Sequence, residues 1–439
     1  MVAVPAPLIR RIVLCLALAT PAIVFRLTGF APNPVLDLVV FGTAVVAASF
    51  MLAWAAEAAQ KDISGALAIA ILALIAVLPE YAVDLYYAFR SGSDPAYEQF
   101  AAANMTGSNR LLLGFGWPLV VLVSLAVARR ALRGRASGAL PGEKARILHL
   151  PQTSRLDIGV LAIVSVLAFA IPAMGHIAIW FGVLLIAVFA AYLWRAGRVA
   201  DDGEPEEFVG QAANIANLPT LARRWTFTGM FVVSAAIILS SAEPFANALV
   251  DSGRSLGVDS FFLVQWLAPL ASEAPEFIVA VLFALRGQGA AAIGTLIASK
   301  INQWTLLVGS LPLAHFVGGG GAALPLDGRQ LEEFVLTASQ TLLGVAIIIS
   351  LRFSRSAALA LVALFALQFA VTGETGRYVL SAVHVAAAIA LLVVRRRDIV
   401  PTITAPFRRE PTSRSLPGTP APSVSSESAP TQEPAPTRR

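Results

Sequence analysis

Two stretches decide the reading of this chain: Leu72-Ala-Leu-Ile-Ala-Val-Leu-Pro79-Glu80-Tyr-Ala-Val83 and Leu267-Ala-Pro-Leu-Ala-Ser-Glu273-Ala-Pro275-Glu276-Phe-Ile-Val279. Each sets a Pro-Glu pair inside an apolar run long enough to cross a bilayer, and the two glutamates lie 196 residues apart. A carboxylate at such a depth costs about 2.5–3.5 kcal/mol on insertion scales, and a helix-interior proline costs about 3 kcal/mol more. The proline also frees a carbonyl one turn earlier, which in lipid must find a partner. Interhelical hydrogen bonding would account for either acid alone. Two such defects in equivalent surroundings point instead to the two halves of one ion-binding site.

Composition agrees. Of 439 residues, 57% are hydrophobic and 13% charged, against about 25% charged in soluble domains. The chain is therefore expected to be an all-α polytopic membrane protein with no soluble catalytic domain between its apolar segments. One cysteine, Cys15, excludes an intramolecular disulfide framework and a cysteine metal cluster. The four histidines are scattered without ligand spacing. Basic residues gather at Arg129, Arg130, Arg133, Arg135, Lys144, Arg146 and Arg155, and again at Arg395-Arg396-Arg397. This is the bias of cytoplasmic loops, not of a nucleic-acid surface. It predicts a cell-membrane protein, inner or plasma, with both termini cytoplasmic.

Hydropathy predicts about twelve spans: 9–27, 36–57, 63–89, 101–128, 157–172, 175–194, 225–250, 258–285, 291–316, 331–351, 355–372 and 377–394. Aligning Glu80 with Glu276 pairs 63–89 with 258–285, down to Arg90 opposite Arg286. Further on, Asn104-Met-Thr-Gly-Ser108-Asn109 matches Thr295-Leu-Ile-Ala-Ser299-Lys300, and Leu150-Pro-Gln-Thr-Ser-Arg155 resembles Leu324-Pro-Leu-Asp-Gly-Arg329. The organisation that follows is an extra helix over 1–30, a first five-helix repeat over 36–194 and a cytoplasmic linker over 195–224. A second repeat covers 225–372, an extra helix 373–397, and a Pro/Ser/Thr-rich tail over 398–439 is expected to be disordered. Five spans per repeat force the second copy upside down. Inverted repeats with broken helices meeting at the midplane belong to secondary transporters.

On these residues the chain resembles the cation/calcium exchanger superfamily, in its sodium/calcium exchanger membrane region, over about 36–372. That family carries Gly-Thr-Ser-Leu-Pro-Glu on one helix of each repeat. The next helix carries Gly-Ser-Asn and, three residues on, Asn or Asp. The resemblance implies cation ligands at Glu80 and Glu276, at Ser108 and Ser299, and at Asn109 within Gly107-Ser108-Asn109. It further implies that helices 36–57 and 225–250 slide as the gate. Hard oxygen donors suit Ca²⁺, which takes roughly 6–8 of them, and Na⁺ equally.

The sequence also departs from the family pattern. Ala76 and Val77 stand where it has Thr-Ser, and Leu112 stands where it has an amide. In the second repeat Ser272 keeps a hydroxyl, Glu273 replaces the serine, Lys300 the asparagine and Gln303 the carboxylate. Ser272, Glu273 and Gln303 thus join the candidate ligands. Lys300 is expected to pair with Glu273 or Glu276, taking the place of a sodium ion. Glu273 could then couple transport to protons. Asp84, one turn past Glu80, reads either as a vestibule residue or as an exposed helix end.

The expected function is secondary antiport of a cation bound at the membrane midplane, by alternating access. A sodium/proton or other cation/proton antiporter on the same fold is the alternative. The residues leave the cargo open among Ca²⁺, Na⁺ and H⁺, and leave the oligomeric state open. No enzyme and no cofactor are expected: the chain has no Gly-x-x-x-x-Gly-Lys-Ser/Thr phosphate loop, and no histidine accompanies either glutamate. The expected partners are inorganic cations and the lipid bilayer.

Overall fold

Helix ends fall where the sequence supplies caps and breakers. Helix α1 (Ala6–Thr28) stops at Gly29, whose φ of 67° is left-handed. Helix α2 (Pro34–Ala59) starts on a proline, with the Asn33 side chain accepting from Leu36 N at 2.9 Å. Helix α3 (Leu78–Ser91) follows, then α4 (Ala103–Leu111), α5 (Trp117–Gly134), α6 (Arg155–Leu167) and α7 (Ile179–Val199). The second half runs α8 (Thr220–Leu256), α9 (Ser260–Leu285), α10 (Gly289–Asn302), α11 (Val308–Val317), α12 (Gly328–Ile348) and α13 (Arg355–Ala370). Helices α14 (Glu374–Val394) and α15 (Arg396–Thr404) complete it. This computed structural model describes residues 5–62, 78–134, 146–199, 208, 210–371 and 373–408.

Among the described residues nine helices are long and apolar enough to cross a membrane, and α13 is apolar but shorter. Helix occurs at every predicted span, although only 78–89 of the span 63–89 falls within the described residues; Ala76 and Val77 lie outside them. Two expectations need correction. The tail does not lose order at 398, because α15 docks on α6. There Arg155 Nη1 donates to Thr402 Oγ1 at 2.6 Å and Arg155 Nη2 pairs with Asp398 at 3.2 Å; a charged residue that reads as solvated supplies the anchor. Nor does Pro275 break its helix, since α9 runs unbroken through both Pro269 and Pro275. Packing on both sides holds the rest of its ladder together.

The two halves match beyond their sequences. A single π turn spans Leu112–Gly116 between α4 and α5, and another spans Gln303–Leu307 between α10 and α11. In the alignment that pairs Ser108 with Ser299 these turns coincide. Such bulges are frequent at functional sites. Short strands launch the outer helices: β1 (Ile147–His149), β2 (His176–Ala178), β3 (Ala323–Pro325) and β4 (Arg352–Ser354). Each ladder joins the halves, β1 antiparallel to β4 and β2 antiparallel to β3.

Helices α2 and α8 pack along their length, with α1 against both, and Arg26 of α1 pairs with Glu243 of α8 at 2.8 Å. At the other end of α2, Asp62 accepts from Arg223 (2.5 and 2.9 Å) and Arg224 (3.1 Å). The hydrogen bond from Arg223 holds the Asp62 carboxyl below the usual carboxylate range. Helices α3, α4, α9 and α10 form the centre of the bundle, and they carry every candidate site residue outside the two π turns.

Candidate cation site

The site is built from a close crossing of α4 on α9. Pro269 has no N–H to give the carbonyl of Gln265, one turn earlier. Gly107 lies against that carbonyl, and a Cβ at 107 would collide with it. Glycine therefore lets the two backbones meet, and the meeting carries Ser108 to Glu273. Ser108 Oγ donates to Glu273 Oε1 at 2.6 Å, and Gln303 Nε2 donates to the same oxygen at 2.7 Å and to Ser108 Oγ at 2.9 Å. Three residues from three helical segments thus converge, all buried.

Glu80 enters from α3, beside Ser108, Gln303 and Glu273 and within electrostatic reach of Glu276. Glu276, one turn beyond Glu273 on the same face of α9, lies beside Ser299 of α10. The structure therefore brings six of the predicted residues together: Glu80, Ser108, Glu273, Glu276, Ser299 and Gln303. One oxygen on each of five of them is buried without a hydrogen-bond partner: Glu80 Oε1, Glu273 Oε2, Glu276 Oε2, Ser299 Oγ and Gln303 Oε1. Buried acceptors left unpaired cost roughly 1–3 kcal/mol each, more when charged, so a site that keeps five together is suited to a cation or protons. Among the described residues no three His, Cys, Asp or Glu side chains meet at metal-ligand geometry. Any bound ion must draw on hydroxyl and amide oxygens as well as carboxylates.

Three predicted residues stand apart. Lys300 does not pair with Glu273 or Glu276. Its Nζ donates to the carbonyl and to the side-chain oxygen of Asn109, both at 2.9 Å, while Glu273 acts on it from beyond ion-pair distance. The physical reason is positional: Lys300 and Asn109 occupy the same place in the two repeats and face each other across the crossing. Asn109 is thereby engaged by the ammonium instead of facing the carboxylate cluster. Ser272 turns its hydroxyl to its own helix, towards the carbonyls of Ala268 (3.2 Å) and Pro269 (3.3 Å).

One participant escaped the sequence reading. Arg110 directly follows the Gly-Ser-Asn motif, is 1% exposed, and pairs with Glu333 of α12. It also donates to Gln368 Oε1 at 3.2 Å and lies over the Trp266 ring at 5.0 Å. Arg377 pairs with Glu333 too, and with Glu332 at 3.0 Å. This network grips the back of α4, opposite the face that carries Ser108. Its signal was present: an arginine in the middle of an apolar span and an acidic pair opening another.

The arrangement is that of an ion-translocating helix bundle, and comparison with known proteins makes the class specific. The family described as sodium/calcium exchanger protein matches residues 34–197 and 226–372. The chain belongs to that family, and is a multi-pass membrane cation antiporter rather than an enzyme. No curated protein sequence matches it. Among solved structures, the H⁺/Ca²⁺ exchanger CAX is 35% identical with a TM-score of 0.83, over 92% of this chain and 98% of that one. Native YfkE is 16% identical with a TM-score of 0.58, over 85% and 98%. The sodium-calcium exchanger NCX_Mj soaked with 10 mM Na⁺ and zero Ca²⁺ is 17% identical with a TM-score of 0.50, over 77% and 98%. The last two likenesses concern the fold alone.

Proposed function

We propose that this chain is a cation/proton antiporter that carries Ca²⁺ against H⁺ by alternating access. The observation that carries the reading is the gathering of Glu80, Glu273 and Glu276 around the Ser108, Ser299 and Gln303 oxygens. Two carboxylates neutralise a divalent ion stripped of water, and the hydroxyl and amide oxygens raise the donor count towards what Ca²⁺ needs. Three clustered carboxylates in a dry site repel one another, so release of the ion favours uptake of protons in its place. That exchange is the coupling: metal and protons compete for the same oxygens.

Sodium suits the site less well. Lys300 occupies one of the family's amide positions with a fixed positive charge, and Leu112 occupies another with an apolar side chain. The likeness to CAX, an H⁺/Ca²⁺ exchanger, supports the same cargo. The matched π turns and exchanged strand ladders support two inverted repeats about the site, with α2 and α8 sliding along the rest as the gate. The basic 129–155 and 395–397 segments support cytoplasmic termini.

Flux into proteoliposomes tests this. An imposed proton gradient should drive Ca²⁺ uptake in the wild type and fail to do so in Glu80→Gln and Glu276→Gln. A Na⁺ gradient that drives Ca²⁺ where a proton gradient does not would overturn proton coupling. Undiminished flux in both variants would remove these glutamates from the mechanism.

A further inference from the structure

One turn beyond Glu80 along α3 lies a second acid that the mechanism above does not use. Asp84 is fully buried and neither carboxylate oxygen has a hydrogen-bond partner. Beside it, from α4, comes Asn104, 1% exposed, whose side-chain oxygen and nitrogen are both unpartnered as well. Four polar atoms on two facing helices are thus left together without a protein partner. For a lone buried carboxylate this is among the costliest arrangements available.

No cation relieves it. Among the described residues no lysine or arginine lies within ion-pair distance of Asp84, and the only charged group that acts on it is Glu80 of the same sign. On its own helix the flanking titratable groups are the Tyr81 and Tyr87 phenols. Tyr81 is engaged with Asn302 at 3.1 Å and Tyr87 with the carbonyl of Ala246 on α8 at 2.8 Å. From α11, His315 is occupied by Ser91 at 2.8 Å, two turns further along. From α8, Asp251 reaches Tyr87 and adds only negative charge, and from α4 the neighbour is the neutral amide.

We propose that Asp84 and Asn104 form a second proton-binding station, between the central site and the end of the bundle that carries the 92–97 loop. A proton from water adds to the Asp84 carboxylate. The resulting acid donates O–H to the Asn104 carbonyl oxygen and accepts N–H from its amide, so that one proton turns four unpartnered atoms into two hydrogen bonds. Passing that proton to Glu80 returns Asp84 to the carboxylate. The station is one-sided: in the second repeat Ala280 stands at the place of Asp84, and Thr295, exposed and bonded to its own helix, stands at the place of Asn104.

The transport side of this proposal rests on the proton-coupled reading above; the protonation itself does not, and the two are tested separately. Infrared spectra of the purified protein at neutral pH should show a protonated-carboxyl band in a Glu80→Gln, Glu273→Gln, Glu276→Gln background. Asp84→Asn should abolish that band. Asn104→Leu should keep it but move it towards the frequency of an acid without a hydrogen bond. In proteoliposomes, Asp84→Asn alone should slow proton-driven Ca²⁺ uptake by about tenfold or more. A band unchanged in Asp84→Asn, or unmoved in Asn104→Leu should Asp84→Asn fail to fold, overturns the station. Uptake in Asp84→Asn at the wild-type rate and pH profile overturns its part in transport. Wild-type protein that exchanges no Ca²⁺ for H⁺ refutes the proposed function and leaves the infrared result to stand or fall alone.

Discussion

The two repeats share a backbone and differ in what they load onto it. Their π turns fall in register, yet the turn of the first opens on Leu112 and that of the second on Gln303. The first repeat spreads two acids along one helix, Glu80 and Asp84; the second sets Glu273 and Glu276 side by side and adds Lys300. Asn109 in one faces Lys300 in the other, and Arg110, gripped by Glu333, corresponds to the buried apolar Ile301. Repetition thus accounts for the frame, whereas ion chemistry comes from the positions where repetition has been abandoned.

Breaking that asymmetry should hurt most at Arg110. Replacing it with leucine, close to what the second repeat has, strands Glu333 against a single arginine. The expected loss is about 3–5 kcal/mol of stability, read by thermal unfolding in detergent; a loss near zero would mean that the network does not hold α4 in place. Next comes Glu276→Gln, which removes a carboxylate that its partner Glu80 cannot replace. Proton-driven Ca²⁺ uptake should fall more than about a hundredfold, beyond what loss of an outer-shell partner costs. Uptake within a few-fold of wild type would show the two glutamates to be redundant.

Lys300→Asn makes the second repeat resemble the first. It removes a fixed positive charge and restores an amide, so Na⁺ should compete with Ca²⁺ about tenfold more strongly, roughly 1.4 kcal/mol, measured as Na⁺ inhibition of Ca²⁺ uptake. Unaltered inhibition would place Lys300 outside ion selection. The smallest effect is expected at Asp62, where α2 ends on an ion latch while α8 ends on Gly257. Asp62→Asn should cost about 1 kcal/mol at neutral pH. Because the folded carboxyl is held low by Arg223, its contribution is fully present above the unfolded value of about 3.9 and is lost as pH falls through the folded one. The gap between wild type and variant should therefore close in acid; a constant gap would assign it to packing.

What could be read in advance follows from the kind of signal each feature leaves. The Pro-Glu pairs and the six polar residues that lie together in the fold are legible because burying a polar group in a long apolar run is conspicuous in one dimension. The π turns are not, since an inserted residue leaves hydropathy unchanged. Charge points Lys300 towards an acid, whereas the repeat geometry sets it opposite Asn109. Arg110 gives no partner in sequence, since its acids, Glu332 and Glu333, begin a span more than two hundred residues away. The order of α15 was hidden by a composition that resembles an unstructured tail.

The crossed strand ladders carry a consequence for motion. Each joins a segment of one half to a segment of the other, and between them they stitch α6 and α7 to α12 and α13. In the proposed cycle those four helices form a fixed chassis, so a pair of spin labels placed across either ladder should report the same distance at every stage. The proposed sliding of α2 and α8, which neither ladder tethers, would then run against that frame.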